Sequence, residues 1–329
     1  MAAKESVPPC EFDRLFTKSV PHILEGIFFS LDYDSFMACR AVCKAWNQLH
    51  SSELYQKEQK KMLVEKKKNE EKLCEYSKEG NVEEVHNLLS CGVNPSFSRA
   101  DGLGRTPLIY ASIHGHEDVV KLLLNMGADP IIATPWGYTP LHYAGSCSFA
   151  SIGMVKLLLE AGADPNKADG NGDTPINWAT KCGRTESVEL LLEAGGEPNT
   201  ANDEGETPLY WAANNGDQDL VKLLIDRGAK LNRATNEEED TPLIMATIYG
   251  HTDVIQLLLN AGADPDKSNY VGTTPLHFAA QRGCQQAIKM LLSAGANPNK
   301  ENFEGKNPLY LNKNMVIYGH LLKEEMKQK

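Results

Sequence analysis

The residues that could do chemistry in this chain are its eight cysteines, nine histidines and forty-four carboxylates. The cysteines (Cys10, Cys39, Cys43, Cys74, Cys91, Cys147, Cys182, Cys284) contain no Cys-x-x-Cys pair. That pattern fits reduced thiols in an intracellular protein. No zinc spacing links Cys with His, and no glycine-rich phosphate loop, Gly-x-Ser-x-Gly or His-Glu-x-x-His occurs. No base is positioned for a cysteine nucleophile. The expectation is a non-enzyme with no cofactor and no metal. The chemistry that does recur is recognition. Acids cluster as Asp169 and Asp173, then Asp203, Glu204 and Glu206, then Glu237, Glu238, Glu239 and Asp240. Aromatics stand beside them at Trp136, Tyr138 and Phe149.

These clusters fall at a fixed interval. Thr-Pro pairs open at Thr106, Thr139, Thr174, Thr207, Thr241 and Thr274, in steps of 33, 35, 33, 34 and 33 residues, and Asn307-Pro308 follows. A period near 33 marks a stacked helical array, a protein-binding architecture. In the unit from Gly104, Thr106 caps a short helix and Pro107 sits in its first turn. His114-Gly115-His116 breaks that helix, Glu117 to Asn125 forms a second, and Gly127 ends it.

This grammar resembles the ankyrin repeat, in which Thr-Pro-Leu-His opens the first helix. His142 and His277 keep that histidine, whereas Asn177, Tyr210 and Ile244 replace it, which is expected to weaken local hydrogen bonding. The likeness covers residues 73–329: an amino-terminal capping unit at 73–103, repeats at 104–136, 137–171, 172–204, 205–238, 239–271 and 272–304, and a closing unit at 305–329. The fold class expected is all-α, a small helical bundle followed by a solenoid of about eight units.

The bundle lies upstream. Ile23, Leu24, Ile27, Phe28 and Leu31 define one apolar helical face, Leu31-Asp32-Tyr33-Asp34 is a turn, and a second apolar run ends at Val42-Cys43-Lys44-Ala45-Trp46. So small a module barely buries a core and leans on a partner. Its pattern resembles the F-box. The resemblance implies a substrate receptor of a Skp–cullin–F-box ubiquitin ligase, with Val20, Pro21, Ile23, Leu24, Ile27, Phe28, Leu31, Phe36 and Val42 facing the Skp adaptor or the core. Val20-Pro21 stands one residue closer to Leu31-Asp32 than the usual Leu-Pro pair. Residues 1–17 read as a flexible segment, 18–56 as the F-box and 57–72 as a charged helical linker.

Charge separates the two parts. Residues 1–72 carry 12 Lys and Arg against 11 Asp and Glu, and the remainder carries 21 against 33. The array should therefore attract a basic protein and not nucleic acid. No apolar run is long enough for a membrane span, so a cytoplasmic or nuclear location is expected. In ankyrin-type arrays the inter-unit fingers and the first helices make a concave face. The candidate substrate contacts are therefore Trp136, Tyr138, Phe149, Lys181, Asp203, Glu204, Glu206, Asn214, Asn215, Glu237, Glu238, Glu239, Ile248, Tyr249, Gln281 and Arg282. The nine finger carboxylates are expected to form one continuous stripe. Tyr110, Tyr143, Trp178, Trp211, Met245 and Phe278 share one inward position and read as packing between repeats. The function expected is a receptor that brings a substrate to a ligase, with a non-degradative scaffold as the alternative.

Overall fold

The computed structural model describes residues 53–100, 102–146 and 151–311. The F-box-like segment before Glu53, Phe149 and the end of the closing unit lie outside the described residues. Among those described, the regular structure is entirely helical.

Thirty-three-residue spacing becomes geometry through short helices with defined ends. Helix α1 (Glu53–Glu79) and α2 (Val82–Ser90) form the first pair. Then come α3 (Pro107–His114) with α4 (Glu117–Asn125), α5 (Pro140–Ser146) with α6 (Ile152–Glu160), and α7 (Pro175–Lys181) with α8 (Thr185–Glu193). The series continues with α9 (Pro208–Asn215) and α10 (Gln218–Asp226), α11 (Pro242–Tyr249) and α12 (Thr252–Asn260), and α13 (Pro275–Arg282) and α14 (Gln285–Ser293), and α15 (Pro308–Leu311) opens the last unit. Proline occupies the first turn of α3, where its missing N–H costs nothing, and Thr106 Oγ1 accepts from the Ile109 N–H at 3.2 Å. Thr207 and Thr241 repeat that cap at 3.2 and 3.3 Å.

First helices stack on first helices, and second helices on second helices. Three apolar columns run through the stack. Leu108, Leu141, Ile176, Leu209, Leu243 and Leu276 come from the first helices. Val120, Val155, Val188, Val221, Ile255 and Ile288 form one column of the second helices, and Leu123, Leu158, Leu191, Leu224, Leu258 and Leu291 the other. All are at most 1% exposed, so each repeat completes its core only against its neighbours.

Neighbouring pairs are also clasped by polar side chains. His116 Nε2 bonds the Lys78 carbonyl at 2.9 Å, and His251 Nε2 bonds the Asn214 carbonyl at 3.0 Å. A carbonyl only accepts, so both rings carry their proton on Nε2. Gly80 explains the closeness: its φ is +77°, and a Cβ there would stand 2.6 Å from the His116 ring. Asn215 and Arg282 do the same work with other chemistry. Asn215 Nδ2 donates to the Thr180 and Lys181 carbonyls at 3.3 and 3.2 Å, and Arg282 Nη1 donates to the Ile248 carbonyl at 2.5 Å.

The charged linker helix continues without interruption into the capping unit. Residues 57–72 belong to the same 27-residue helix as Leu73, Cys74 and Ser77, which are buried at its C-terminal end. No glycine or proline interrupts α1. Leu63 and Val64 on this helix are each 68% exposed.

Candidate binding face

Fingers join successive pairs and stack through their backbones. Gly170 N–H donates to the Trp136 carbonyl at 2.7 Å, Asp203 N–H to Asn171 at 2.9 Å, and Asn236 N–H to Glu204 at 2.9 Å. Tyr270 N–H to Glu238 at 3.1 Å and Phe303 N–H to Val271 at 3.0 Å continue the series. Gly137 permits this approach: its φ is +84°, and a Cβ would meet Asp169 Cα at 2.8 Å.

Stacking divides the expected acidic stripe into two rows. Asp169, Asp173 and Glu206 turn inward and are buried, and Asp240 is half-buried. Asp203, Glu204, Glu237, Glu238 and Glu239 remain exposed along the outer edge. Each acid of the inward row has at least one hydrogen-bond partner. Asp169 Oδ1 accepts from the Asn171 and Asp173 N–H groups at 2.8 and 3.0 Å, and its Oδ2 accepts from the Trp178 indole at 2.9 Å. Glu206 Oε2 accepts from the Trp211 indole at 3.1 Å and from Asn202 Nδ2 at 2.8 Å. Asp240 Oδ1 accepts from Asn269 Nδ2 at 3.3 Å.

Lys181 ends α7 in the middle of this row. Its ammonium lies 2.7 Å from Asp173 Oδ2, 3.6 Å from Glu206 Oε2 and 4.9 Å from the centre of the Trp211 ring. Burial raises the Asp173 carboxyl pKa, Lys181 pulls it back, and the Asp169 charge adds to the rise. Aromatic rings close one side. Tyr138 packs edge-on to Trp178 at 5.0 Å, and Tyr143 reaches Tyr138 and Trp178 at 6.0 Å each. Tyr138 is thus half-buried in a cluster, whereas Trp136, at 48% exposure, stands on the open finger edge.

The remaining candidates are spread over the inner surface. Asn214 and Ile248 are half-buried, with their carbonyls taken by His251 and Arg282. Asn215, Gln281 and Arg282 are exposed at the ends of first helices. Tyr249 is 52% exposed and stacks on His251 at 6.1 Å. Asn202 was missed by sequence reasoning: its Oδ1 accepts the Glu204 and Glu206 N–H groups at 3.1 and 2.9 Å while its amide orients the Glu206 carboxylate. An asparagine four residues before a finger acid is the signal that could have found it.

Two of the residue types that fill the histidine position, His and Asn, bond across the gap to the next repeat. His142 Nδ1 accepts from the Thr139 N–H at 3.1 Å, and Nε2 bonds the Asp173 carbonyl at 3.2 Å. His277 repeats this with Thr274 and the Lys306 carbonyl at 3.1 and 3.0 Å. Burial holds both imidazoles below their ordinary pKa of 6.5, favouring the neutral ring. Asn177 corrects the expectation of weaker bonding, since its Nδ2 donates to the Thr200 and Glu206 carbonyls at 3.3 Å each. An amide spans the same gap between repeats as an imidazole N–H.

No group of three His, Cys, Asp or Glu side chains able to hold a metal ion occurs among the described residues. No described helix is long and apolar enough to cross a membrane.

This pairing of helices, joined by stacked fingers, defines a class of repeat solenoid. The family model for ankyrin repeats (three copies) matches residues 73–169, 146–235 and 232–302, more than half of the chain. The chain belongs to the ankyrin-repeat family, a protein–protein interaction module. It is similar to the human ASB11 ankyrin repeat domain, with a TM-score of 0.60 and 28% identity over 67% of this chain and 98% of that one. It is equally similar to the ankyrin repeat domain of Bcl-3, a member of the IkappaB family, with a TM-score of 0.60 and 29% identity over 67% of this chain and 99% of that one. An ankyrin repeat-containing protein of Saccharomyces cerevisiae is 46% identical over 61 residues, 18% of this chain and 12% of that protein. The chain therefore spans only a small part of that curated relative.

Proposed function

We propose that this chain is the substrate-recognition subunit of a Skp–cullin–F-box ubiquitin ligase. The segment 18–56 docks the Skp adaptor, and the ankyrin array holds a basic protein substrate. The observation that carries this reading is the joining of two features. The F-box-like Val42-Cys43-Lys44-x-Trp46 run lies a few residues before Glu53, and from Glu53 the described residues form one helix that runs unbroken into the first repeat pair. From Glu53 onward a continuous helix, rising about 1.5 Å per residue, has the stiffness that suits a spacer in a receptor. Catalysis is by proximity, since a held substrate presents its lysines at high effective concentration to the conjugating enzyme. Substrate contacts are drawn from the exposed acids Asp203, Glu204 and Glu237 to Glu239, the aromatic edge at Trp136, and the inner-helix ends at Asn214, Asn215, Ile248, Tyr249, Gln281 and Arg282. A compartment shared with the ligase, cytoplasm or nucleus, follows from this reading.

The test is co-purification of the full chain from cells, as wild type and as a Pro21→Ala, Leu24→Ala double variant. Skp and cullin should accompany the wild type and be lost from the variant, while substrate stays bound. Absence of both from the wild type would replace this reading with a non-degradative scaffold. The shortened Val20-Pro21 spacing favours that second reading.

A further inference from the structure

Two exposed surfaces at opposite ends of the array complement each other. The first is the outer edge of the last fingers. Their tips are closed by bonds from Thr235 N–H to the Asp240 carbonyl at 3.1 Å, Asn269 N–H to Thr273 at 3.1 Å and Asn302 N–H to Lys306 at 2.9 Å. Between those bonds stand Glu237, Glu238 and Glu239, then Tyr270 and Val271, then Phe303 and Glu304. Tyr270 is 51%, Val271 36% and Phe303 81% exposed. They form one patch, because Phe303 N–H bonds the Val271 carbonyl at 3.0 Å and the Phe303 ring lies over Gly272, 2.9 Å from where a Cβ would stand. Clustered aromatics left in water mark an interface. Glu304 is bridged to Lys306 at 2.6 Å, whereas Glu237 to Glu239 face solvent beside the patch.

The second surface is the exposed stretch of α1. Residues 57–68 contain six lysines and two glutamates. At about 100° per residue, Leu63 and Val64 share one face with Lys57, Lys60, Lys61, Lys67 and Lys68, and positions 58 and 65, the glutamates, fall outside it. All seven residues of that face are exposed. An apolar pair framed by lysines matches aromatics beside glutamates in both hydrophobicity and charge. The helix cannot meet the tips of its own chain. It packs on α2 and α3 at the other end of the array, and it has no glycine or proline at which to turn back.

We propose that the two surfaces meet between copies: the 57–68 face of α1 in one chain docks on Tyr270, Val271 and Phe303 of a second, with its lysines against Glu237 to Glu239. Because helix and tips lie at opposite ends, two arrays side by side and antiparallel place each helix on the other's tips and close a two-fold dimer. Glu237 to Glu239 also stand among the proposed substrate contacts, so a second copy and a substrate compete for that edge. The self-association itself does not rest on the ligase reading.

The test is sedimentation equilibrium of the full chain. Wild type should dimerise at about 50 mM salt and associate about tenfold or more weakly at about 500 mM, where the charges are screened. Lys67→Glu with Lys68→Glu, and separately Glu237→Lys with Glu238→Lys, should each be monomeric where wild type is dimeric. An equimolar mixture of the two variants should re-form the dimer, since each reversed surface then faces its reversed complement. Phe303→Ser should weaken association by about tenfold or more through loss of the apolar anchor. All these side chains are exposed, and the recovered dimer of the mixture itself shows that both variants fold. Association that survives either charge reversal, or a mixture that stays monomeric, would overturn the proposal. A monomeric wild type at low salt would do so too, and would leave the tips to a different protein.

Discussion

The fingers and inner helices around Lys181 and those around Tyr249 descend from one repeat pattern and end in different physical states. Around Lys181, finger acids point inward, both indoles are tied to carboxylates, and a lysine bridges two repeats. One finger later, Glu237, Glu238 and Glu239 face solvent, and the inner helix carries Ile244 and Met245, both buried, where α7 carries Asn177 and Trp178. Glu239 adopts φ of +53°, the sole non-glycine described residue with positive φ, in a finger that holds one extra residue. The apolar columns occupy the same registers and are fully buried in both regions. Different polar layers are therefore laid over the same core registers, and residues that the core does not use set the difference.

The largest expected effects test the constancy of that core. Leu191→Ala and Leu258→Ala, one in each region and both fully buried, should each cost about 2–5 kcal/mol by chemical denaturation. A several-fold difference between them would show that the two regions do not share one core.

The polar layer should separate the regions more sharply. Lys181→Met leaves two buried carboxylates without their cation and should cost about 1–3 kcal/mol near neutral pH, less than a fully buried pair because Lys181 is partly exposed. Glu237→Gln and Glu238→Gln, on the exposed edge, should stay within about 0.5 kcal/mol of wild type. Comparable losses in both places would erase the distinction between a bridged pair of buried acids and a solvated edge.

The smallest effect is a pH slope. His142 and His277 are held neutral in the fold, with pKa values below the ordinary 6.5. The unfolded chain therefore takes up protons first as pH falls below about 6.5, and stability is lost over that interval. Asp173 and Asp240, raised by burial, work in the opposite sense. His142→Asn copies the Asn177 solution, leaves the carboxyls unchanged, and should flatten the loss between pH 7 and 5.5. An unchanged slope in thermal melts across that range would mean that His142 does not titrate on unfolding.

Much of the fold was legible because its signals are local. The threonine cap lies three residues from the N–H it satisfies, proline marks the first turn beside it, and glycine marks the end. The candidate face was legible less evenly. Trp136, Glu204 and Glu238 can be placed on exposed finger edges from position alone. Asp173 and Glu206 cannot, because an acid on a finger points outward or inward according to the finger stacked on it. Arg282 and Asn215 look like open contacts in sequence, yet each also holds the end of a neighbouring helix.

By itself the sequence determined the repeat length, the helix pairs, their caps and the apolar registers, since each depends on residues within a turn or two of one another. Only the tertiary structure decided that Lys181 meets Glu206 from the next repeat, that Asn177 replaces a histidine's bond across the gap, and that the charged run at 57–72 is one helix with the first repeat. Those outcomes join groups that are remote in sequence or depend on what neighbouring units leave open. Stacking brings them within hydrogen-bond reach, and no periodicity along the chain encodes that distance.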